Sequence, residues 1–432
     1  MTAFSVRQEA LYPAPETGPI FRGTDIAKWR DVYWLNLLRI ILVVVGFSIP
    51  VACPAWAQEE FGRPADGITT EQEDDSRTGD RQETGFDIRE DIRKARELLA
   101  SKRCGYTVTI ERTTVLLKGK RGRTRVKVVR KRIIEPAFLL AVENLRERTL
   151  RLVRFTSRGC ETKGFDVIKT RANGVASRFE VRHPENMAVL ALRTMVHGGE
   201  KGYEEVVYTP YSPAIDTRLV REDGLNYLRA RIESARADLE EKNVPLKGLE
   251  CISGDVAPTE ISLVLSIIEH IDPLRFKNCP PGGETVLVHE VLTIIGANMS
   301  DAYAYSRSPA GARGLFQFIP GTYEKILRKY REAGLDRNFV SGCTNPTNAA
   351  KASLLLFDSD LNDLPEDYLR AMGSNVQAVG QYIAAAYNCG SRRVERSLRA
   401  CEDGWTCLLP EETKTYLRKF DAVWRMRESL DK

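Results

Sequence analysis

A chain of 432 residues is too long for one compact domain, so two or three are expected. Its hydrophobic fraction of 43% and charged fraction of 28% are ordinary for a soluble globular protein. The net charge of +5 is small for this length and argues against a dedicated nucleic-acid binder, although it hides local clusters.

The N-terminal end carries an export pattern. Lys28, Arg30 and Arg39 precede an apolar run at residues 40–52, and Ala55-Trp56-Ala57 reads as an A-x-A cleavage site before Gln58. The run is short for a membrane span. A long leader, residues 1–33, precedes the run. Either the true start lies further in, or the leader stays cytoplasmic on an uncleaved anchor. Cys53 follows Pro-Val-Ala and lacks the Leu-like residue that lipidation requires three places earlier. Of the nine cysteines, eight remain once Cys53 leaves with the signal, an even number consistent with disulfides in an exported chain. Cys401 and Cys407 flank a short Gly-containing loop and are expected to pair. Domain grouping suggests Cys104 with Cys160, and Cys251 with Cys279. No C-x-x-C spacing occurs, and His183, His197, His270 and His289 show no metal-ligand spacing, so no metal is expected.

Residues 58–86 are polar and acidic and read as a disordered linker. Ile88, Ile92, Ala95, Leu98 and Leu99 then recur at helical spacing and predict a short helix over 87–101. From 104 to 212 the period changes to two. Residues 106–118 and 123–134, joined by a Gly119–Gly122 turn, read as a β-hairpin. Further strands are expected at 149–155, 178–181, 188–195 and 204–208. The hairpin is strongly basic across 118–132. It reads either as an anion-facing surface for cell-wall polymer or membrane headgroups, or as a solvated hairpin with Val126 and Val128 inward. Nucleic acid is disfavoured as a partner by export.

Leu225, Leu228, Ile232, Ala235 and Leu239 predict a helix over 215–243, and Pro245, Gly248 and Gly254 mark a boundary after it. From Cys251 onward no strand pattern survives, and apolar stripes at helical spacing recur at 261–268, 286–296, 349–357, 376–386 and 414–425. The expected architecture is therefore an α+β multidomain chain. It comprises a signal with a long leader (1–57), a linker (58–86), a mixed β-rich domain (87–212), a connecting helix and linker (213–250), and an all-α domain (251–432).

Within the last region, residues 308–320 read Ser-Pro-Ala-Gly-Ala-Arg-Gly-Leu-Phe-Gln-Phe-Ile-Pro, a glycine-punctuated segment with Gln317 between apolar neighbours. Asn348 follows, then Ala386-Tyr387-Asn388-Cys389-Gly390, then Glu412-Thr413-Lys414-Thr415-Tyr416. Taken in this order, the set resembles the soluble lytic transglycosylase family, which shares the lysozyme-like fold. The resemblance spans roughly residues 250–425. It implies cleavage of the MurNAc–GlcNAc bond of peptidoglycan strands in a bacterial periplasm or cell envelope, with no cofactor. One glutamate serves as acid and then as base while the muramic acid C6 hydroxyl attacks, leaving a 1,6-anhydro sugar. Ser308, Gly314 and Gln317 would line the glycan groove, and Tyr387 and Asn388 would lie near the cleavage point. Glu412 and Tyr416 would tie the last helix to the groove, with Tyr416 on its edge.

The glutamate is missing where the family spacing expects it. Counting back without gaps from Ser308 lands on Met299, and a thioether cannot protonate a leaving oxygen. Three readings stay open. Glu269 ends an apolar stretch, 261–268, and is followed by His270-Ile271-Asp272-Pro273, as the family's catalytic helix ends. About 30 residues, around 274–303, are then an insertion. Alternatively the protein is an inactive homologue with Met299 at the empty position, holding peptidoglycan without cutting it. Glu290 on the inserted helix is the third candidate, although helical rise places it about 13 Å from position 299. Asp272 and Asp301 read as cap or surface residues. A further class ignores the resemblance: an envelope partner-binding protein acting through the basic β-rich region.

Overall fold

The computed structural model describes residues 87–118, 124–171, 174–197, 202–251, 257–372, 375–401, 404–428 and 430. The export signal, the linker and the hairpin turn at 119–123 lie outside the described residues. So do the side chains that make the hairpin basic.

The N-terminal part is β-rich. Helix α1 (Ile88–Ala100) is followed by β1 (Tyr106–Lys118) and β2 (Thr124–Pro136), which pair antiparallel from Tyr106–Pro136 to Lys118–Thr124. A five-stranded antiparallel sheet follows, built from β3 (Phe138–Asn144), β4 (Thr149–Thr156), β5 (Gly159–Cys160), β8 (Met187–His197) and β9 (Tyr203–Tyr208). Its order is β5-β4-β3-β8-β9. Strands β6 (Asp166–Arg171) and β7 (Arg178–His183) form a separate hairpin. The central strand β3 was not expected from the sequence. Phe-Leu-Leu-Ala-Val is apolar without alternation because both faces are covered: Leu140 and Val142 pack with Phe179 and Leu192, and Ala141 packs with Leu99 and Leu190 of the α1 side.

The C-terminal part is helical. Helix α2 (Arg218–Glu241) leads into α3 (Ala257–Ile268), α4 (Pro273–Asn278) and α5 (Glu284–Asn298). Then come α6 (Pro320–Lys329), α7 (Phe339–Thr344), α8 (Pro346–Asn362), α9 (Glu366–Met372), α10 (Val376–Cys389), α11 (Ser391–Ala400) and α12 (Glu411–Met426). Helix α3 is the buried rod of this part. Ile261, Leu263, Val264, Leu265, Ile267 and Ile268 are all buried, so the helix is apolar all round. Its two buried hydroxyls are satisfied locally, Ser262 with Ser353 and Ser266 with the Leu263 carbonyl.

Helix α5 joins the two parts. It crosses α2 so closely that a Cβ on Gly224 would lie 2.2 Å from the Leu292 carbonyl oxygen, and one on Gly296 would lie 1.9 Å from that of Val220. Asn298 at its end donates to the Thr209 carbonyl and accepts from the Thr209 amide, which anchors the chain just past β9. Ile294 reaches into the core of the sheet. The expected fold class, a β-rich region followed by an all-helical one, is the one observed.

Among the described cysteines, Cys401 and Cys407 form a disulfide, as expected. The pairing of Cys104 with Cys160 is not made, and Cys279 is also a free thiol. Cys104 is buried against Glu205, Cys160 lies on the short edge strand β5, and Cys279 turns back to donate to the Phe276 carbonyl.

Candidate active site

Glu269 is the first residue past α3, and its amide still donates to the Leu265 carbonyl at 3.1 Å. The apolar body of α3 has to be buried, and burying it carries the carboxylate to one fixed place at the helix C-terminus. That end of a helix disfavours negative charge. The side chain is half-buried. Tyr416 on α12 donates its hydroxyl to Oε1 at 2.5 Å. Desolvation pushes the Glu269 carboxyl up to about 7. The Tyr416 hydrogen bond and the Lys419 charge pull the other way, and Glu412 adds to the rise. The group therefore changes charge near neutrality.

Lys419 is the contact that sequence reading missed. It is buried, and its Nζ donates to the carbonyls of Ile271 at 2.5 Å and Ile268 at 3.4 Å, closing the C-terminal turn of α3. Lysine ordinarily reads as a solvated charge. The signal was its phase, since Tyr416, Lys419, Phe420 and Val423 lie on one stripe of α12.

The glycine-rich segment forms the adjoining wall. Ser308 and Ala312 close a turn, the Ser308 amide donating to the Ala312 carbonyl and Ser308 Oγ accepting from the Ala312 amide. The Arg313 amide donates to the Phe318 carbonyl. Gly314 has φ +71°, and a Cβ there would lie 1.9 Å from the Cys343 carbonyl oxygen, so only glycine fits. The Gln317 amide donates to Ser306 Oγ and to the Gly314 carbonyl, so it holds its own loop.

Two side chains bring this wall to Glu269. His270 Nε2 bonds the Leu315 carbonyl at 2.9 Å, and the ring stacks on Tyr303 with centroids 3.4 Å apart. Burial pushes His270 down to about 3, so it is neutral and Nε2 is the protonated nitrogen. Tyr387 donates its hydroxyl to the Phe316 carbonyl at 2.5 Å, and the Glu269 charge acts on both Tyr387 and Tyr416. Asn388 accepts from Thr413 on α12 at 2.7 Å. Thus Glu269, Tyr387, Tyr416 and the 315–316 backbone converge. Among the described residues no hydrogen bond joins Ser308 or Gln317 to Glu269. Asn348 is a structural tie, bonded to Tyr323, Gly342 and Asp336.

The other carboxylates are occupied elsewhere. Glu290 accepts from Arg178 on β7 and Arg275 on α4, and these guanidiniums hold its carboxyl below the usual range despite burial. It has no proton to give near neutral pH. Asp272 caps α4 through the Leu274 and Arg275 amides, and Asp301 pairs with Arg96. Met299 ends α5 with φ +51°, its side chain partly exposed.

Residues 287–404 match the family model of the transglycosylase SLT domain. No curated protein and no solved structure matches the chain. The match falls in the region that carries the glycine-rich segment and Ala386-Tyr387-Asn388, and its family is the one that these motifs resemble. It begins inside α5 and ends before α12, so it leaves out both Glu269 and Tyr416.

Proposed function

We propose that the protein is an exported lytic transglycosylase that cuts the MurNAc–GlcNAc bond of peptidoglycan, with Glu269 as acid and then base. The observation that carries this reading is the half-buried Glu269 carboxyl, set at about 7 beside the 315–316 wall and bonded by Tyr416. Neutral Glu269 gives its proton to the glycosidic oxygen as the C1–O bond breaks. The muramic acid C6 hydroxyl then closes on C1, and its proton returns to the Glu269 carboxylate. No water is consumed, and an intramolecular hydroxyl brings a high effective concentration. The Tyr416 hydroxyl stabilises the ionised state between the two proton transfers, and Tyr387 with the loop backbone borders the strand. In this reading 251–432 is the catalytic domain, 213–250 the connector and 87–212 an accessory β-rich domain behind an N-terminal signal.

Digestion of sacculi by the full chain, followed by mass spectrometry, tests the proposal. Anhydro-muropeptides are expected from the wild type and not from Glu269→Gln. Equal release by the variant would remove Glu269 from the role. One observation favours a second reading, a strand-binding protein that does not cut: the family match leaves out Glu269, and Met299 occupies the ungapped position. That reading requires wild-type protein that binds sacculi and yields no product.

A further inference from the structure

A cavity of about 690 Å³ opens where α10 ends and α11 begins, and Lys325, Arg392, Arg393 and Arg396 are among its lining residues. Its lining includes Cys389, one residue past Asn388, at the C-terminal end of α10. Among the described residues none of these four cations has an ion-pair partner, whereas Arg399 on the same helix pairs with Glu395. Asp363 is the one carboxylate in the lining, and Asp360 lies buried behind it, bonded to Ser391. Four positive charges against two negative leave the cavity cationic. The first turn of α11 adds to this: its cap, Gly390, contributes no side-chain bond, so the Ser391 and Arg392 amides carry no cap, while the Arg393 amide donates to the Gly390 carbonyl. Arginine forks match carboxylates in two-point geometry, and three of them within one turn suit a ligand with more than one carboxylate.

We infer that this cavity binds the carboxylates of the peptide stem on a muramic acid whose glycan strand lies in the adjoining groove. The inference rests on the reading of the domain as peptidoglycan-directed. A stem of alanine, γ-linked glutamate, diaminopimelate and alanine carries several free carboxylates close to the sugar. The cavity therefore sets preference for stem-bearing over bare glycan.

Binding to the full chain tests this without turnover, because a single disaccharide contains no MurNAc–GlcNAc bond to cut. The probes are the GlcNAc–MurNAc tetrapeptide and the same disaccharide without peptide, titrated by calorimetry or NMR. The stem-bearing probe is expected to bind at least about tenfold more tightly. R392Q/R393Q/R396Q is expected to erase that difference while leaving the bare disaccharide within about twofold. These side chains are exposed, so the fold should tolerate the change. Arg399→Gln, on the same helix but paired with Glu395, is expected to change neither affinity. Equal affinity of the two probes, a difference that survives the triple variant, or displacement of the stem by equimolar inorganic phosphate would each overturn the inference. Loss of product in wild-type sacculus digests would instead sink the proposed activity and leave this binding difference standing.

Discussion

Glu269 and Glu290 are both carboxylates set into the helical part of the molecule, and their surroundings push them in opposite directions. Glu290 meets two guanidiniums and stays charged. Glu269 meets a tyrosine hydroxyl and an apolar helix end, and burial holds its proton to about 7. The difference lies in the kind of partner. Arginine fixes charge, and here it fastens helix α5 to β7 and α4. Tyrosine satisfies the carboxylate without fixing its charge, which leaves a group that can give and take a proton. A buried carboxylate alone would not distinguish a fastening from a reactive centre.

The largest effect that could break this contrast is on catalysis. Glu269→Gln is expected to lower anhydro-muropeptide release by about a thousandfold or more, the scale of a lost general acid. Glu290→Gln should retain the rate per folded molecule, because its partners lie outside the site. Release measured against folded protein, by mass spectrometry of sacculus digests, decides between them. A larger loss from Glu290→Gln would reverse the assignment.

The next effect is on stability, and there the order inverts. Glu290→Gln leaves two arginines facing a neutral group and is expected to cost about 3 kcal/mol at pH 7 in urea unfolding. Since its folded pKa is depressed, that contribution is present above the unfolded value of 4.5 and is lost as pH falls through the folded one. Glu269 has the opposite sign. Its folded pKa is raised from 4.5 to about 7, so the fold loses stability as pH rises through that window. Glu269→Gln should therefore be more stable than wild type at pH 8, on the order of 2 kcal/mol, with the advantage gone below about pH 4.5. A variant less stable than wild type at pH 8 would mean that Glu269 holds the fold as Glu290 does.

These roles were unequally legible in the sequence. The buried helix ending at Glu269 was readable from its apolar run and the Asp-Pro that stops it, and α5 was readable as a helix. What α5 does was not readable, because Arg178 lies over a hundred positions before Glu290 and nothing local marks the pair. The β3 strand was hidden for a related reason: burial on both faces removes the alternation that betrays a strand. The glycine-rich wall was legible down to Gly314, whose close approach to Cys343 excludes any side chain. Tyr416 was legible as a motif, but its bond to Glu269 was not. Lys419, which caps α3 from within, was not singled out in the sequence at all. Long-range polar contacts of this kind depend on which helices become neighbours, and a helical stripe fixes a face without fixing its partner.

The smallest expected effect is also the sharpest test of the tyrosine's part. If Glu269 must be protonated to act, kcat/KM on sacculus fragments should fall as pH rises through about 7. Tyr416 donates to the carboxylate and so favours the charged form. Tyr416→Phe removes that bond and leaves desolvation unopposed by it, so the alkaline limb should move to higher pH. The ring remains to fill its buried place, which separates the proton effect from packing. In the proposed cycle the same carboxylate must ionise before it can accept the C6 proton, so the variant should gain range at high pH while losing rate at its optimum. A limb that stays in place with only the rate lowered would make Tyr416 a packing residue. A limb that moves to lower pH would contradict the assigned effect of the tyrosine hydrogen bond on the Glu269 charge.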